Sequence, residues 1–76
     1  MITGPQIRAA RAFLGWSQTA LADKAVLSET AAMKLETGRA DTRTSTVLKV
    51  RHALEAAGVE FVNRPDGKVG VLVSGK

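Results

Sequence analysis

The sequence predicts a mostly α-helical domain: a bundle of four short helices closed by a C-terminal β-hairpin. Three observations predict it. Four segments carry apolar residues at helical spacing, each opened by a Ser or Thr. After Gly58 the period changes to alternation. The length of 76 residues leaves room for one domain, with residues 1–58 as its helical part and 59–76 as a hairpin extension of it. A chain this short buries only roughly 60% of its unfolded surface, so the core has to be compact.

The first helix opens at Thr3-Gly4-Pro5-Gln6, where Thr is placed to cap, Pro is tolerated in the first turn and Gln three residues on completes a capping box. Ile7, Ala10, Phe13 and Leu14 then recur at helical spacing, with Arg8 and Arg11 on another stripe. Gly15 is placed for a left-handed cap, which ends the helix near Leu14. Ser17 caps a second helix over Gln18–Ala25, whose Leu21, Ala22 and Ala25 suit the core and whose alanines let another helix approach closely. Val26 and Leu27 break it.

Ser28 caps a third helix from Glu29 to Thr37, stopped by Gly38. Two short helices joined by about three residues form a helix-turn-helix arrangement. Arg39 to Arg43 is a polar loop, and a fourth helix starts around Thr44 or Ser45, carries Val47, Leu48, Val50, Ala53, Leu54 and Ala57, and closes at Gly58. Val59 and Phe61, then Val69, Val71 and Val73, alternate on either side of Asn63-Arg64-Pro65-Asp66-Gly67, which reads as a hairpin. Two strands alone are marginal in water, so the ribbon must pack on the helices or pair with a second copy of itself. The tail Ser74–Lys76 is expected to fray.

Composition narrows the function classes. There is no cysteine and a single histidine, His52, which leaves no zinc or disulfide pattern, and no cofactor is expected. No nucleophile–base pair, carboxylate dyad or phosphate-cradling glycine loop appears, so an enzyme is not expected. No apolar run approaches the ~20 residues needed to span a bilayer, and none follows the first residues as a secretory leader, so the expectation is a cytoplasmic protein with no membrane partner. Eleven Lys and Arg against seven Asp and Glu give a formal charge of +4, a surface suited to phosphates or acidic proteins.

The run Gly15-Trp16-Ser17-Gln18-Thr19-Ala20-Leu21-Ala22, followed by Ser28, Leu35-Glu36 and Gly38, resembles the Xre or Cro/repressor-type helix-turn-helix family, over roughly Gln6 to Leu54. The resemblance implies a repressor-like bundle whose third helix enters the major groove of double-stranded DNA, usually as a two-fold homodimer on a palindromic operator. Three departures stand out. Val26 replaces the usual Gly of the turn, which implies a turn without positive φ, since Val is strained there. Ala32 replaces a large aliphatic, leaving a small hole that Met33 is flexible enough to help close. A hairpin stands where a fifth, dimer-forming helix is common, which makes sheet-edge pairing the candidate substitute.

With Ala32 and Leu35 inward, spacings of three and four put Glu29, Thr30, Met33 and Lys34 on the outer face of the third helix, as base readers. Lys34 suits guanine O6 or N7, Glu29 suits cytosine N4, and Thr30 or Met33 suits a thymine methyl, each good contact being worth roughly 1–3 kcal/mol of discrimination. Gln18, at the start of the second helix, is a phosphate-positioning contact, and Ser28 combines a cap with a phosphate contact. Arg39 and Arg43 bracket the loop after the third helix and reach the backbone or a minor groove. Trp16, Leu21, Leu35, Leu48, Leu54 and Phe61 are expected in the core, Lys24, Lys49 and Arg51 on solvated faces, and His52 on a helix flank as a surface or partly buried imidazole. A second reading makes the third helix a docking surface for another regulatory protein, as in an antiactivator or antitoxin, because Ala31, Ala32 and Met33 are apolar and Glu29 is acidic.

Overall fold

Thr3 and Gln6 start the chain's first helix as their spacing predicts. In the computed structural model, which describes residues 2–37 and 44–74, the Thr3 Oγ1 accepts from the Gln6 N–H at 3.3 Å and the Gln6 Oε1 accepts from the Thr3 N–H at 2.8 Å. Helix α1 then runs Gly4–Leu14 and ends at Gly15, whose φ of 70° is the left-handed cap a glycine adopts without strain. Helix α2 is Gln18–Ala25, α3 is Glu29–Thr37 and α4 is Thr44–Ala56. Strands β1 (Val59–Asn63) and β2 (Val69–Val73) pair antiparallel, with Val59 opposite Val73 and Phe61 opposite Val71. The bundle of four helices with a C-terminal hairpin is the architecture that the periodicities predict.

The core forms where the four helices and one face of the hairpin meet. Ile7, Leu21, Val50 and Leu54 are fully enclosed, with Ala10, Ala25, Leu35, Val47 and Val59 around them. Each large aliphatic contributes roughly 2 kcal/mol by leaving water. Phe61, Val71 and Val73 lay the hairpin's inner face on this cluster, β2 against α1 and β1 against α4. That packing supplies what two isolated strands lack.

Two polar devices lock the layers. The Gln6 side chain, already part of the cap, is buried, and its Nε2 donates to the Val62 and Gly70 carbonyls (3.2 and 2.9 Å) and to the Asn63 Oδ1 (3.2 Å). One residue thus joins the start of α1 to both strands. At the other side, the Glu36 carboxylate, 2% exposed, accepts Arg11 Nε at 2.6 Å and Arg11 Nη2 at 2.9 Å, a two-pronged pair that ties α3 to α1. Arg11 also donates to the Trp16 carbonyl, and Arg8 to the Glu36 carbonyl. Gly4 makes this approach possible, because a Cβ there would lie 2.3 Å from the Glu36 carbonyl oxygen.

Four expectations are corrected. Val26 sits in the left-handed region after all, at φ 57° and ψ 54°, because α2 must turn sharply into α3. Met33 is 47% exposed, so it does not close the space beside Ala32, which is itself fully buried. Phe13 is 71% exposed: at about 100° per residue it lies about 100° from Leu14 and about 120° from Ile7, at the edge of the stripe beyond Ala10. Leu48 is exposed for the same reason, lying about 100° from Val47 while Val50 and Leu54 stay close to that side.

Candidate nucleic-acid interface

The α2–α3 junction is built from two serine caps and a three-residue turn, Val26 to Ser28. Ser17 Oγ accepts from the Ala20 N–H at 3.0 Å, and Ser28 Oγ accepts from the Ala31 N–H at 3.1 Å, so each helix begins where its sequence predicts. Between them the left-handed Val26 lets the Leu27 N–H return to the Ala22 carbonyl at 2.8 Å, which closes α2 and redirects the chain.

Helix α3 divides cleanly. Ala32, Leu35 and Glu36 are buried, whereas Ser28, Glu29, Thr30, Met33, Lys34 and Thr37 are exposed. The inner side is held by Leu35 in the core and by Glu36 against Arg11, which fixes how far α3 stands out from the bundle. The exposed stripe therefore rests on a rigid support. Thr37 Oγ1 donates back to the Met33 and Lys34 carbonyls, satisfying acceptors in the last turn.

Gln18 is half-buried at the first position of α2. Its neighbour Thr19 donates its hydroxyl to Glu29 Oε1, so the first turns of α2 and α3 lie side by side. The sequence holds no local signal for this contact, since ten positions separate the pair. It changes the status of Glu29: one carboxylate oxygen is occupied by a partner on α2, and the acid sits in the first turn, where the helix dipole favours it. Lys34, nearer the C-terminal end, complements the other pole.

The charge is shared unequally. Arg8 and Arg11 turn to Glu36, and Arg51 pairs with Glu55 at 3.0 Å. Hydrogen bonding to Glu36 raises the Arg11 pKa above its ordinary value, its charge adding to that effect while burial opposes it, so Arg11 remains a cation and serves the fold. Lys34 stays exposed on the outer stripe. Arg39 and Arg43, the expected backbone contacts, lie outside the described residues.

No protein-family model and no curated protein matches the chain. Among the described residues no cluster of His, Asp or Glu is arranged to hold a metal ion, and no helix is long and apolar enough to cross a membrane. The arrangement offers the chemistry of a protruding helix: an acceptor at Glu29, a donor at Lys34, a hydroxyl at Thr30 and a soft apolar tip at Met33, beside a helix start at Gln18.

Proposed function

We propose that the chain is a cytoplasmic, sequence-specific DNA-binding regulator, a repressor of the Xre or Cro type, that reads the major groove with α3 while the start of α2 grips a phosphate. One observation carries the reading: Glu29, Thr30, Met33 and Lys34 stand together on the exposed side of a helix whose opposite side is anchored in the core. A helix can fill the major groove only if one face protrudes and offers donors and acceptors there. Gln18 and the N–H groups of the first turn of α2 supply a phosphate contact that positions without specifying sequence.

A dimer completes the proposal. Each copy measures about 30 × 30 × 17 Å, a width that lets two copies stand side by side on half-sites one helical turn, roughly 34 Å, apart. The exposed Met33 favours the second reading, in which α3 docks on another protein.

Selection of random-sequence duplexes by the purified protein at two salt concentrations separates the readings. The proposal expects enrichment of a defined, two-fold symmetric sequence, with affinity falling steeply as salt rises. Absence of any enriched sequence at low salt, with binding to a protein partner that salt barely weakens, favours docking.

A further inference from the structure

A groove is lined by Phe13 and Leu14 of α1, Trp16, Lys24 of α2, Ala57, and Val73 and Ser74 at the end of β2. Its volume is about 580 Å³, within the range of roughly 300–1,000 Å³ typical of small-molecule sites. A second hollow of about 290 Å³, lined by Ala53 and Ala56 on α4, opens onto the same Trp16, Lys24 and Ala57. The two hollows share one aromatic wall and one cation. The Lys24 ammonium stands 5.2 Å from the centre of the Trp16 ring, and among the described residues Lys24 is the only ionisable side chain lining either hollow.

We propose that this groove binds a small amphiphilic carboxylate, with its anionic head at Lys24 and its alkyl or aryl body along Trp16, Leu14, Ala57 and Val73. Charge decides the class. A cation beside an aromatic ring and aliphatic side chains is matched by an anion on an apolar body, whereas a neutral amphiphile gains no charge-assisted contact from Lys24 and a cationic one is repelled by it. Phe13, 71% exposed at the rim, is unexplained by the core and becomes the side chain that covers such a body. The alanines at 53, 56 and 57 leave the floor open where larger residues would fill it. This site is independent of the proposed DNA reading.

Trp16 is the only tryptophan and the chain has no tyrosine, so its fluorescence reports on the groove directly. Titration of the whole protein with octanoate, 1-octanol and octylammonium should give a saturable change for octanoate, weaker binding of the alcohol, and none of the amine. Lys24→Gln should weaken octanoate about tenfold while leaving the alcohol unchanged, as expected for loss of one charge-assisted contact. Phe13→Ala should weaken both ligands, and thermal melts confirm that each variant folds. Equal binding of octanoate and octanol, or octanoate binding indifferent to Lys24→Gln, overturns the proposal. So does a sedimentation result in which two copies associate through this groove, Phe13→Asp separates them and octanoate has no effect.

Discussion

Val26→Gly should stabilise the protein, although it removes a branched apolar side chain. A left-handed β-branched residue costs about 2 kcal/mol, and Val26 at φ 57° and ψ 54° carries that strain in the turn before α3. Glycine relieves it at φ > 0 but loses about 0.7 kcal/mol through the greater freedom of its unfolded chain. The side chain is 79% exposed, so its lost burial costs below about 0.5 kcal/mol. The balance is a gain of about 1 kcal/mol, which raises the melting temperature of a domain this size by roughly 4–8 °C. Thermal and urea unfolding followed by circular dichroism measures it. Gly15→Ala is the mirror experiment: Gly15 has φ 70° and a Cβ there meets nothing within 4 Å, so the variant should lose about 1 kcal/mol through the backbone alone. A melting temperature for Val26→Gly equal to or below that of the wild type refutes the reasoning.

Arg11→Met removes both hydrogen bonds from the buried Glu36 carboxylate and leaves it only the more distant Arg8, and should cost about 3 kcal/mol in urea titrations, most of it recovered when Glu36→Leu is added. Because the folded Arg11 pKa is raised, the stability it lends is present below its ordinary pKa and is lost only as pH rises past the elevated value, so unfolding curves should show no loss from Arg11 between neutral and mildly alkaline pH. Gln6→Ala removes part of the cap of α1 and the side-chain bonds to Val62 and Gly70, for about 2 kcal/mol, and should speed amide exchange in the hairpin before the helices. On an enriched duplex, Gln18→Ala should weaken every sequence about equally in gel shifts, whereas Lys34→Ala should relax preference at one base position. Unchanged preference in the Lys34 variant refutes its assignment as a reader.

What the sequence discloses is local. Thr3 and Gln6, Ser17, Ser28 and Gly15 act within one turn of the chain, so their spacing alone places the helix ends that the structure contains. The alternation of Val69, Val71 and Val73 likewise marks a strand, of which Val71 and Val73 lie on the core while Val69 is 48% exposed. The outward position of Glu29, Thr30, Met33 and Lys34 follows from the helical period once Ala32 and Leu35 face inward. The contacts that hold α3 in place are not local. Arg11 and Glu36 are 25 positions apart, and Gln6 reaches residues 56 to 64 positions away. In sequence Arg11 reads as part of a polar stripe, Glu36 as part of a short motif and Gln6 as a capping-box residue, and none of them announces its distant partner. Val26 is the instructive miss: propensity argues against positive φ, and the geometry needed to join α2 to α3 prevails.

The central claim concerns the outer stripe of α3, and Met33 gives the most direct view of it, because the chain has only one other methionine, at position 1. With the methionine methyl groups isotopically labelled, addition of an enriched duplex should shift the Met33 signal and give contacts to protons in the major groove, with neighbouring shifts at Thr30 and Lys34. A Met33 methyl that stays unmoved while the protein is saturated with that duplex contradicts the account.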